Sequence, residues 1–115
     1  MEIVVLLEPE GRVVGREIQV NGPEGEFTLE ADGTVVYRSP YDEETWYVAP
    51  SAKEFQLSAE CWRRYGERIR GARSESEEAD AVAKLRAELE HLALLGPDGS
   101  SFWSAIVEQT EHGLL

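Results

Sequence analysis

A single cysteine, Cys61, excludes an internal disulfide and any cysteine-rich metal centre from this chain of 115 residues. It stands beside Trp62 in a stretch of helical character, where a buried structural thiol is expected; no matched His or Asp pattern accompanies it to make it reactive. Long apolar runs are missing as well. The longest, "IVVLL" and "LALL", are far too short to span a bilayer, and the first residues lack a basic stretch followed by an apolar signal core. A cytoplasmic location with no membrane partner is the expectation. Cations are scarce: eleven lysines and arginines face 23 acids, and the net charge of -12 repels phosphates and argues against nucleic acid as a direct partner. Internal repeats and low-complexity tracts are absent too. What remains is a composition near the globular average, 42% hydrophobic and 30% charged. A chain of this length buries roughly two-thirds of its unfolded surface, enough for one domain over residues 1–115.

The charge is unevenly spread. Residues 1–50 hold eleven acids and three cations, and residues 74–115 hold nine acids and two cations. Between them, residues 53–73 carry six cations (Lys53, Arg63, Arg64, Arg68, Arg70, Arg73) against three acids, a local net of +3. Arginines lining a solvated helix face and pairing with neighbouring acids account for this; Arg63, Arg64, Arg68 and Arg70 are also the residues an interface on that helix would use.

Residues 1–50 read as short strands with turns between them. "MEIVVLL" is a strand closed by "EPEG", and "RVVGREIQV" a second, with Gly15 marking a bulge. "EFTLEA" alternates, with Phe27 and Leu29 on one face; the Asp32-Gly33 pair is a hairpin signal and "TVVYR" a fourth strand. "TWYV" adds a short fifth at the edge. From Ser51 the period changes. "SAKE" is a capping box in which Ser51 Oγ accepts from the Glu54 N–H and the Glu54 carboxylate accepts from the Ser51 N–H. Phe55, Ala59, Trp62, Tyr65 and Ile69 then recur on one helical face, which Gly71 ends. Ala79, Val82, Leu85, Leu89 and Leu92 form the stripe of a second helix, broken at Gly96 and Pro97. Ser100 or Ser101 caps a third, "FWSAIVEQTEH", with Phe102, Ile106 and Val107 toward the core and Gly113 as its stop. Strands first and helices second predict an α+β fold: an antiparallel sheet of four to five strands over 1–50, and three helices packed on one face over 51–115.

Catalytic signatures are weak. No glycine-rich phosphate loop or nucleophile elbow is present, and no pair of carboxylates is singled out for acid–base work, so the chain is not read as an enzyme. Glu88 three before His91, and Glu108 four before His112, each supply half a metal site; no further ligand can be named, so neither a metal nor a cofactor is expected. The aromatics say more. Trp62 and Trp103 lie on apolar faces and belong to the core. "YDEETWY" instead sets Asp42, Glu43 and Glu44 among Tyr41, Trp46 and Tyr47, and aromatic anchors rimmed by charge are the make-up of a protein-binding hot spot. Stapling of Trp46 or Tyr47 against Phe55 at the helix start is the competing role; it leaves the three acids unexplained, and for them the alternative is a solvated loop.

"GTVVYR…YVAPSAKEFQLSAECWRRY" and "AKLRAELEHLALLGPDGSSFWSAIVEQTEHGLL" resemble the SUKH superfamily, in particular the bacterial SUKH-type immunity proteins, over about residues 33–115. The matching positions are Val48, Ser51 and Phe55 where a strand enters a helix, then Asp98, Phe102, Trp103 and Glu108 around the last helix. The resemblance implies a SUKH-like fold and a toxin-neutralising protein that works by occlusion. A basic, nuclease-type toxin is the partner that a surface of Asp42, Glu43, Glu44, Trp46 and Tyr47 would steer onto. The alternative is a self-associating structural or regulatory module, a homodimer joined through a sheet edge or the arginine-rich helix.

Overall fold

A computed structural model describes residues 1–19, 22–42, 44–92 and 101–112. Among these residues five strands, β1 (Glu2–Glu10), β2 (Val13–Ile18), β3 (Gly25–Leu29), β4 (Val35–Arg38) and β5 (Thr45–Ala49), precede three helices, α1 (Ala52–Arg70), α2 (Glu75–His91) and α3 (Phe102–Glu111). The sheet is an antiparallel meander in the order β1-β2-β3-β4-β5, so β1 and β5 are its two edges. The predicted α+β architecture is therefore present, with the fifth strand included.

Two turns are set by glycines in the left-handed region. Gly11 (φ 64°) opens a two-residue connection to β2, and Gly33 (φ 93°) closes the β3–β4 hairpin, where the Thr34 N–H donates to Asp32 Oδ1 at 2.9 Å. The first turn thus falls after "EPE", not on it: β1 continues to Glu10 because an edge strand tolerates Pro9, which has no N–H to give to a ladder. The bulge expected at Gly15 is present, as the register between β2 and β3 shifts between Val13 and Gly15. Two more irregularities occur: one on β1 between Val5 and Glu10, and one between Val35 and Val36 on β4, which leaves Val48 as the extra residue of β5 and turns the chain into α1.

Each helix begins on a serine. Ser51, Ser74 and Ser101 accept from the N–H groups of Glu54, Glu77 and Ser104. At Ser51 only half of the capping box forms: Glu54 Oε2 is buried with no hydrogen-bond partner. All five residues foreseen on the buried face of α1 are buried, joined by Ser58, Cys61 and Gly66, because α1 is covered by the sheet on one side and by α2 on another. On α2 the buried residues are Ala81, Val82, Leu85 and Leu89, while Ala79 faces solvent. The four-residue spacing of Ala81, Leu85 and Leu89 sets that stripe, and Ala79 lies off it. Ser101 is the α3 cap; the breaks foreseen at Gly96 and Pro97, Ser100 and the stop at Gly113 lie outside the described residues.

The core sits between the sheet and the helices. Phe27 at its centre is fully buried and touches three other rings: Phe55 of α1 (centroids 4.8 Å), Phe102 of α3 (5.3 Å) and Tyr37 of β4 (5.4 Å). Gly15, beside Phe27 in register, has Phe55 directly over it. Trp62 and Trp103 are both buried, as their positions on the apolar faces predict, and the Trp62 indole donates to the Met1 carbonyl at 3.1 Å. α2 packs chiefly on α1 and α3. Among the described residues no helix covers the opposite face of the sheet, which presents the cross-strand row Val4, Arg16, Glu26, Arg38 and Thr45, with Arg16 and Glu26 paired at 3.3 Å.

Candidate interaction surface

The stretch "YDEETWY" spans the β4–β5 connection and the start of β5. Tyr41 is 69% exposed and Asp42 and Glu44 are exposed with it. Short local bonds shape the loop: the Tyr41 N–H donates to Ser39 Oγ (3.2 Å) and the Glu44 N–H to Asp42 Oδ1 (3.1 Å), side-chain turns of the kind Ser and Asp make with the backbone two residues on. Glu43 lies outside the described residues. Gly22 lies close under the Tyr41 hydroxyl; a Cβ there would meet the oxygen at 3.2 Å, so the ring reaches from this loop to the β2–β3 connection.

Trp46 and Tyr47 part company. Successive strand residues point to opposite faces: Trp46, opposite Tyr37, packs half-buried against the core, whereas Tyr47, opposite Val36, opens onto the helix-free face at 38% exposure. Burial, then the Glu54 carboxylate, pushes the Tyr47 hydroxyl pKa up. The structure thus places Tyr41, Asp42 and Glu44 exposed on the β4–β5 loop and Tyr47 on the outer face of β5, while Trp46 lies on the other face, against the core.

Below the loop lies a polar group that the sequence reading did not single out. Glu17 is 3% exposed and accepts from the Tyr37 hydroxyl (3.1 Å) and from Gln19 Nε2 (2.7 Å). Gly25 makes this possible. It stands between Glu17 and Tyr37 in the sheet, and any Cβ there would lie 2.5 Å from the tyrosine ring, so only glycine lets Tyr37 cross β3 to reach the carboxylate. Burial first, and the Glu17 charge second, hold the Tyr37 proton far above the ordinary tyrosine range, with Tyr41 and Asp42 adding to the effect. The one signal in the sequence is parity: Glu17 shares the phase of Gly15, which faces Phe55.

Between α1 and α2 a second cluster forms around Glu88, which accepts from the Tyr65 hydroxyl (3.2 Å) and the Cys61 thiol (3.7 Å) and lies 3.8 Å from Arg64. Burial, reinforced by Glu88, pushes the Cys61 thiol up to about 11, so it stays protonated at neutral pH and is a poor nucleophile. Glu88 turns toward α1, whereas His91 is exposed. Among the described residues no group of three or more His, Cys, Asp or Glu side chains could hold a metal ion. The arginines of α1 are exposed; Arg64 and Arg68 also sit over the Tyr65 ring, at 5.8 and 5.3 Å. No helix among the described residues is long and apolar enough to cross a membrane.

Compared with known family models, with curated proteins and with solved structures, the chain matches none.

Proposed function

We propose that this domain is a non-catalytic, cytoplasmic protein-binding module that neutralises a basic partner by occlusion, in the manner of the SUKH-type immunity proteins whose sequence pattern it resembles. The observation that carries the reading is the loop 39–44, which holds Tyr41 at 69% exposure beside Asp42 and Glu44 on a chain of net charge -12. An acidic surface steers diffusional encounter with a cationic cleft, and an exposed tyrosine offers contact area at little entropic cost. The fitting partner is a nuclease-type toxin, because a cleft built to hold nucleic acid is cationic. In this role Asp42, Glu43 and Glu44 accelerate association, while Tyr41 and Tyr47 slow dissociation and Trp46 holds the strand beneath them.

The test is capture at low salt from a lysate of the source organism, followed by binding kinetics with the recovered protein. A basic protein, toxic when expressed alone and relieved by this domain, is the expected catch. The Asp42→Ser, Glu43→Ser, Glu44→Ser variant should then lower the association rate by about tenfold and flatten its salt dependence. Unchanged kinetics in the triple variant would remove the loop from the interface.

A further inference from the structure

The two edges of the sheet are protected unequally. β5 is five residues long, is interrupted by a register shift and continues directly into α1. β1 is nine residues long and among the described residues pairs only with β2; its own register shift, Pro9 and the acids Glu8 and Glu10 all come after Val5, so the stretch Ile3–Val5 has no charge, no proline and no shift. Natural sheets blunt such edges with lysines, prolines, bulges or a covering element, because unpaired N–H and C=O groups accept another strand. Along this edge runs a groove of about 260 Å³ between β1 and α1, lined by Ile3, Val5, Gln56, Ala59, Glu60 and Arg63. Glu60 and Arg63 are exposed there, and neither has an ion-pair partner among the described residues.

We propose that β1 pairs with β1 of a second copy of this chain, antiparallel, with Val4 on the two-fold axis. Side-chain parity admits only registers in which paired residue numbers sum to an even value, since inward residues must meet inward residues. Centring on Val5 would set Glu2 opposite Glu8 of the other copy twice over, a like-charge pairing that disfavours it. Centring on Val4 sets Ile3 opposite Val5 on the helix side and Glu2 opposite Leu6 on the outer side, with no acid facing an acid. The same two-fold axis brings the groove rims together, so that Arg63 of each copy meets Glu60 of the other. This reciprocity makes a second copy the fitting occupant, because an isologous interface must be self-complementary. The inference is independent of the loop 39–44.

Light scattering over a dilution series tests the association. The wild-type chain should read twice its 12.9 kDa at high concentration, and the dimer should persist as salt rises, since screening also relieves repulsion between two acidic copies. Val4→Glu faces two carboxylates across the axis and should raise the dissociation constant about tenfold or more. Circular dichroism on that variant confirms that the fold is kept. Register is read from single cysteines: Val4→Cys should cross-link under mild oxidation and Val5→Cys should not, with Cys61 too buried to compete. A monomer at every concentration, a dimer that dissociates as salt rises, or cross-linking through position 5 in place of position 4 would overturn the proposal.

Discussion

Replacing Gly15 with alanine isolates one contact between the sheet and α1. A Cβ at this position would lie 2.7 Å from Cζ and 2.9 Å from Cε2 of Phe55, and 3.0 Å from the Val4 carbonyl oxygen. Gly15 does not adopt a left-handed conformation, so backbone strain is not in question and packing alone decides the sign. Phe55 cannot retreat freely, because its fully buried ring lies 4.8 Å from Phe27, which is held in turn by Phe102. The Val4 oxygen belongs to the neighbouring strand and cannot move without breaking the ladder. Over-packing of this kind costs about 1–3 kcal/mol, whereas the lost freedom of the unfolded chain returns only about 0.4–1 kcal/mol. The net destabilisation is about 1–2 kcal/mol. Unfolding entropy for a chain of this length converts that into a fall in Tm of roughly 4–8 °C. Calorimetry or thermal circular dichroism reads it directly. A Tm equal to or above that of the wild type would refute the reasoning, since it would mean that α1 stands off the sheet at this point. Phe55→Leu supplies the internal check: each single change destabilises, and because the smaller side chain vacates the space that Cβ needs, the double variant should recover about 1 kcal/mol relative to additivity.

Tyr37→Phe removes the hydroxyl that donates to the buried Glu17 and leaves the carboxylate only Gln19; urea unfolding should show a loss of about 1–3 kcal/mol, and a loss below about 0.5 kcal/mol would mean that Glu17 is not held as described. The Cys61 thiol gives a pH dependence. Its folded pKa is raised from 9.0 to about 11, so between those values the unfolded chain releases a proton that the folded chain keeps. Stability from this group is therefore constant below about pH 8 and falls as pH rises from 9 toward 11, by on the order of 2 kcal/mol. Tyr37 acts in the same sense above the ordinary tyrosine range. Urea midpoints from pH 8 to pH 10.5 should decline more steeply for wild type than for Cys61→Ala, and parallel curves would contradict the assignment.

The helical half was easier to read in the sequence than the sheet, for a physical reason. Serine caps at Ser51 and Ser101 and the stripe from Phe55 to Ile69 are local signals, complete within one element. The interior of the sheet is set by partners distant in sequence. Glu17 looks like any surface glutamate in "GREIQ"; its burial follows from Gly25, eight residues on, and from the Tyr37 ring, which lies two strands away. Glu54 shows the converse. Its capping-box spacing is right, yet its carboxylate oxygen is buried without a partner, a tertiary outcome that the spacing does not encode. In the loop, composition located Tyr41, Asp42 and Glu44, but only the register of β5 on β4 separates Trp46 from Tyr47.

Strand order relates the two proposed surfaces. β1 and β5 are opposite edges of one sheet, so two copies joined through β1 form a ten-stranded sheet with the β4–β5 loops at its far ends. At about 4.8 Å between strands, these loops stand roughly 40 Å apart. Such a dimer presents two acidic sites to a partner, and on a surface densely coated with that partner both engage, which slows release without any new contact. Val4→Glu should therefore leave the 1:1 affinity in solution unchanged and shorten residence on the dense surface to that of a single site. The loop triple variant should weaken both. Equal residence of wild type and Val4→Glu on the dense surface would show that the two surfaces do not act together.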